Sequence, residues 1–129
     1  MIVGFGSDII DNRRINKTIE RFGNRFKQRC FSNNEIKKSK IRFNQVNFFA
    51  KRYAAKEACA KALGTGLAKG VFWKDIEVKN NKLGKPFIIL HNRALSRLHN
   101  LTKSKYKIEV SLSDEINYSI ANVIIFNDE

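Results

Sequence analysis

The run FFAKRYAAKEACAKALGTG, residues 48 to 66, constrains this chain more than any other stretch. Its apolar residues recur at helical spacing, so it reads as part of one helix over 44 to 63. Gly64 closes that helix in the position where a glycine accepts a left-handed turn. On a wheel of 100° per residue, Val46, Phe49, Ala50, Tyr53 and Ala60 form one stripe. Glu57 falls inside the stripe, one turn beyond Tyr53. A carboxylate in an apolar stripe must be paired or bind a metal, because stranding it costs several kcal/mol or protonates it. Lys61 lies four residues on, and Lys56 borders the stripe. A helical Glu57–Lys61 ion pair, worth about 0.3–0.5 kcal/mol, is one account of Glu57.

A second carboxylate changes that weighing. Residues 2 to 10 read as a strand, apolar and β-branched. One face carries Val3, Phe5, Ser7 and Ile9. The other carries Ile2, Gly4, Gly6, Asp8 and Ile10, and its two glycines let a backbone or a ligand approach Asp8 closely. Two carboxylates at core-like positions suggest a shared cation. Neither His91 nor His99 makes a motif, and no His or Cys cluster accompanies the pair. That combination points to a hard ion such as Mg²⁺, which keeps waters and is completed by substrate phosphates.

Helical spacing recurs over 14 to 29 through Ile15, Ile19, Phe22 and Phe26, with Gly23 interrupting. Arg14, Arg21 and Arg25 fall on its solvated side. Ser32 with Glu35 is a capping box opening a short helix to about residue 40. Residues 74 to 79 form a short strand, NNKLGKP a turn, and FIIL (87 to 90) a further strand that Pro86 starts. Residues 92 to 100 have helical spacing. KIEVSLSDEINYSIANVIIF is an antiparallel hairpin around Ser113-Asp114-Glu115. Strands and helices do not alternate as βαβ units. The expected class is therefore α+β with a mainly antiparallel sheet, in a single domain over 1–129.

The chain has 129 residues and a formal charge of +13. A chain of this size buries roughly two thirds of its unfolded surface. Residues 13 to 61 hold 15 Lys and Arg against Glu20, Glu35 and Glu57, whereas residues 62 to 129 hold ten against seven acids. So concentrated a positive field predicts an anionic partner: a nucleic acid, a polyphosphate ligand or an acidic protein. Cys30 and Cys59 have the spacing of neither a disulfide framework nor a zinc site, and read as buried thiols. The N-terminus lacks a signal-peptide pattern, and no apolar run approaches a membrane span, so a cytoplasmic protein is expected.

Two glycine turns have double readings. Gly64-Thr65-Gly66 is a helix stop, or a backbone that lets an anion approach. Gly84-Lys85-Pro86 is a turn, or a phosphate contact. Neither has the lysine and spacing of a P-loop.

Taken together, GFGSDIIDNRRI, FFAKRYAAKEACAKALGTG, LGKP and VSLSDEINYSIANVII, in this order, resemble the holo-[acyl-carrier-protein] synthase family. These are the small single-domain phosphopantetheinyl transferases. The resemblance runs from Met1 to near the C-terminus. It implies the 4'-phosphopantetheinyl transferase-like fold, with the sheet packed against the long helix. It implies transfer of 4'-phosphopantetheine from coenzyme A to a serine of apo acyl carrier protein, for fatty acid biosynthesis. Asp8 and Glu57 match the family's Mg²⁺ ligands, and Lys61 its helix lysine. Glu57, or a metal-bound water beside it, is the candidate base. Arg52, Gly64, Thr65, Gly66, Lys85 and Pro86 are candidate coenzyme A contacts. Arg14, Arg21 and Arg25 match the face that docks the acidic carrier protein. The family is trimeric, with coenzyme A at the subunit interface. Asp114 stands where many members carry a histidine that contacts coenzyme A.

The rival reading is a small basic nucleic-acid-binding module. It requires exposed aromatics interleaved with the cations, but most Phe lie at core spacings. It also leaves Asp8 and Glu57 without a role.

Overall fold

The computed structural model describes residues 1–68 and 70–129. Its elements run β1 (Ile2–Asp11), α1 (Asn12–Phe22), α2 (Asn24–Cys30), α3 (Asn33–Ser39), α4 (Gln45–Ala62), β2 (Ile76–Asn80), β3 (Pro86–Leu90), α5 (Asn92–Leu101), β4 (Tyr106–Asp114) and β5 (Tyr118–Asn127). Every strand pairing is antiparallel: β1-β5-β4 form one sheet and β2-β3 a two-stranded ribbon. This is the expected α+β class.

α4 is the centre. It packs against β1, β4 and β5 on one side and β2 on the other. Asn44 caps its start, its side chain accepting from the Asn47 amide, and Gly64 follows its end at φ +82°. A one-faced helix is the expectation from the stripe, and here the structure differs. Phe48, Phe49, Ala54, Ala55, Ala58, Cys59 and Ala62 are buried around most of its circumference, because both layers cover it.

That sandwiching also buries Lys56, which the wheel leaves at the edge of the stripe. Its ammonium donates to Glu35 Oε1 at 2.8 Å, to the Trp73 carbonyl at 3.0 Å and to the Ile76 carbonyl at 2.5 Å. All three donors are used, the condition under which a buried cation is tolerated. Glu35 also closes the capping box of α3, accepting from the Ser32 amide at 2.9 Å. One carboxylate therefore starts α3 and pins α4.

Gly23 interrupts the 14 to 29 segment as expected, dividing it into α1 and α2. Other boundaries differ. Residues 74 and 75 belong to a 3₁₀ turn before β2. The last hairpin turns at Ile116-Asn117, closed by Glu115 N–H donating to the Tyr118 carbonyl at 2.8 Å, so Ser113 and Asp114 remain in β4. Cys30 and Cys59 are buried free thiols, and burial pushes them up to about 11 and about 12. No helix among the described residues is long and apolar enough to cross a membrane.

Candidate active site

β1 and α4 build the site by approaching more closely than side chains would allow. A Cβ at Gly4 would land on the Ala62 carbonyl, and one at Gly6 on the Ala58 carbonyl. The bare face read from the strand thus meets a helix backbone. Asp8, two residues along that face, then comes level with the last two turns of α4.

Lys61 donates to Asp8 Oδ1 at 3.0 Å and to the Ser7 carbonyl at 3.0 Å. The Glu57–Lys61 ion pair weighed from sequence does not form; the partner of Lys61 is Asp8. Asp8 and Glu57 are near enough to act on each other. Burial raises the Glu57 pKa, and the neighbouring Asp8 carboxylate raises it further. The Tyr53 hydroxyl and Lys61 pull it the other way. The result is two interacting carboxylates and one ammonium at a half-open surface.

Among the described residues no group of three or more His, Cys, Asp and Glu could hold a metal. Two carboxylates still suit Mg²⁺, which takes one or two from protein and fills its sphere with water and phosphate oxygens. The donor set fits that ion and lacks the soft ligands of zinc.

The candidate coenzyme A contacts fall into two groups. Arg52 and Pro86 line a cavity of about 570 Å³ with Arg42 and Lys51. Arg52 is buried and stacked on Phe48, with its guanidinium carbon 3.9 Å from the ring centroid. Nη2 donates to Asn80 Oδ1 at 2.6 Å, while Nε has no hydrogen-bond partner among the described residues. Burial lowers its pKa to about 10. Lys85 points elsewhere and pairs with Glu109 at 3.1 Å. Gly64, Thr65 and Gly66 lie at the other end of α4. All three amides donate to carbonyls of Ala60 or Lys61, so the turn is a helix stop with no spare N–H. From Arg52 to Lys61 is about 14 Å along the axis, at 1.5 Å per residue.

Arg14, Arg21 and Arg25 are exposed. Arg13, beside them, is occupied: Nε and Nη2 fork onto Asp11 at 2.8 Å each. Arg25 also borders a second hollow of about 460 Å³, lined by Phe22, Phe26, Tyr53 and Trp73. Tyr53 reaches from this hollow towards Glu57.

The sequence model of the 4'-phosphopantetheinyl transferase superfamily matches residues 4–121. The chain belongs to this superfamily. Holo-[acyl-carrier-protein] synthase of Agrobacterium fabrum is 53% identical over 127 residues, spanning 97% of this chain and 95% of that protein. The crystal structure of holo-[acyl-carrier-protein] synthase from Neisseria meningitidis is similar at a TM-score of 0.87 and 35% identity, covering 98% of this chain and 100% of that one. One from Bacillus anthracis, solved in complex with CoA (3',5'-ADP), has a TM-score of 0.80 and 35% identity, covering 97% and 96%.

The aromatic hollow was not legible from sequence. Phe22, Phe26 and Tyr53 each sit at core spacing and read as interior. Trp73 comes from a loop that no periodicity places. Arg42, Lys51 and Asn47, which line the larger cavity, carry no motif of their own.

Proposed function

We infer that this chain transfers 4'-phosphopantetheine from coenzyme A to a serine of apo acyl carrier protein. Holo carrier protein and adenosine 3',5'-bisphosphate are the products. The observation that carries this is Asp8, Glu57 and Lys61 meeting at one crossing in a member of this superfamily.

The serine oxygen bonds to the phosphorus that bears pantetheine, and the bond from that phosphorus to the 3',5'-ADP oxygen breaks. Such transfer needs positioning and charge neutralisation more than covalent help from protein. Glu57, half-buried and raised in pKa, takes the serine proton. Lys61 neutralises charge on the transferring phosphate, and it is exposed enough to reach a ligand. Asp8 and Glu57 would hold Mg²⁺, which supplies Lewis-acid stabilisation of the phosphate oxygens when bound.

The nucleotide end of coenzyme A enters the cavity at Arg52, Lys51 and Pro86. The carrier protein docks along Arg14, Arg21 and Arg25, and an apolar side chain of its own enters the aromatic hollow. Phe5, Ile9 and Ile120 are exposed together on the outer face of the β1-β5 sheet, with Ile9 opposite Ile120. A face this apolar suits a buried contact, and a homotrimer is the assembly proposed. A cytoplasmic role in fatty acid biosynthesis completes the reading.

A nucleic-acid-binding module accounts for +13 but gives the acidic pair no purpose. The deciding experiment is intact-mass spectrometry of an apo acyl carrier protein after incubation with this protein, coenzyme A and Mg²⁺. A phosphopantetheine mass gain that EDTA abolishes, and that Glu57→Gln loses while staying folded, is the expected result. No gain with a competent carrier would overturn the assignment.

A further inference from the structure

Asp114 ends β4 beside the cavity of about 570 Å³, and its two oxygens go to two side chains that line it. Oδ2 accepts from Asn47 Nδ2 at 2.7 Å. Oδ1 lies 3.6 Å from Lys51 Nζ. The charged residues that line the cavity are all positive: Arg42, Lys51 and Arg52. Buried Glu35, 3.9 Å from Arg52 Nε, answers part of the Arg52 charge from behind. Asp114 answers Lys51 from the rim.

The hairpin does not need Asp114 for its own closure. The turn is shut by the Glu115–Tyr118 backbone bond. It is clamped from the other side by buried Asn12. The Asn12 amide nitrogen donates to the Glu115 and Ile116 carbonyls at 3.2 and 3.3 Å, and its backbone N–H donates to the Asn117 carbonyl at 2.7 Å. The carboxylate at 114 therefore acts mainly on the cavity.

We propose that Asp114 sets how tightly this cavity holds a phosphorylated ligand, by anchoring Asn47 and Lys51 at the rim and cancelling part of the Lys51 charge. This rests on the reading that the nucleotide end of coenzyme A occupies the cavity. An entering phosphate competes with Asp114 for Lys51 and Asn47. The grip is weakened on the donor and on the 3',5'-ADP left after transfer, which favours its release.

The test is calorimetric titration of 3',5'-ADP into the whole protein, its Asp114→Asn variant and its Lys51→Ala variant, with melting temperatures measured alongside. Asp114→Asn keeps an oxygen that can accept from Asn47 and removes only the charge. Binding by Asp114→Asn should be about two- to fivefold tighter, the range of a partly exposed ion pair. The gain should shrink in about 1 M salt, where the Debye length is about 3 Å. Lys51→Ala should weaken binding. Unchanged or weaker binding by Asp114→Asn, with Lys51→Ala still impaired, would overturn the proposal and leave a structural tie. If Lys51→Ala bound 3',5'-ADP normally, the nucleotide would lie elsewhere and the reading of the cavity would fall.

Discussion

Lys61 Nζ stands 3.0 Å from Asp8 Oδ1, joining the last turn of α4 to the strand that opens the chain. The lysine is about half exposed and the aspartate mostly covered. Such a pair adds little to stability, roughly 0–1 kcal/mol. In the proposed mechanism its value lies in holding an ammonium where phosphate charge develops. Lys61→Met should lower kcat by about two orders of magnitude, the cost of removing one such stabilising donor. Its denaturant midpoint should stay near that of the parent protein. Initial rates of carrier modification, set beside a urea titration, check both halves.

The buried pair behaves in the opposite way. Lys56 and Glu35 are both inaccessible and joined at 2.8 Å. Removing one partner strands the other charge, at about 3–5 kcal/mol. Lys56→Met should therefore lose a large fraction of the stability of a chain this size, measured by urea unfolding. Glu35→Leu together with Lys56→Met should be less damaging than the two single losses summed. Arg52, which keeps only a distant contact with Glu35, sets a limit on that recovery.

Arg13 and Arg14 are neighbours in sequence with different surroundings. Arg13 is forked onto Asp11, whereas Arg14 has no ion pair among the described residues. Arg14→Ala should raise KM for an acidic carrier protein several-fold, mostly through slower association, and the effect should fade with added salt. Arg13→Ala should affect KM less. Stopped-flow association at two ionic strengths separates them.

Acid pH tests the Asp11 fork. The Arg13 side chain, then its amide, lowers the Asp11 pKa from 3.8 to about 2. A depressed carboxylate adds stability that is present above its unfolded pKa and lost as pH falls through its folded value. Asp11→Asn still caps α1, since Asn is as good an N-cap, but cannot carry the charge. The melting temperatures of the parent and Asp11→Asn should differ at pH 5 and converge towards pH 2. A difference that persisted at pH 2 would show that the charge is not the cause.

Local pattern alone was enough for β1, α4, the capping box at Ser32–Glu35 and the two strands of the closing hairpin, though its turn lies at Ile116-Asn117. Each rests on spacing or on residues that act within a few positions of one another. The glycines at 4 and 6 even announced that something would come close to Asp8. Glu57 stood out because a carboxylate broke an apolar period. What sequence could not decide is which partner each charge would take. Lys61 had two carboxylates in reach, and only the α4–β1 crossing chose Asp8 over Glu57. On the wheel Arg52 looks like a surface cation and Lys56 only borders the stripe. They are interior because a second layer, carrying Glu35 and Asn80, closes over the far side of α4. Burial and pairing are set by elements distant in the chain, so they belong to the tertiary structure and not to the period of any one helix.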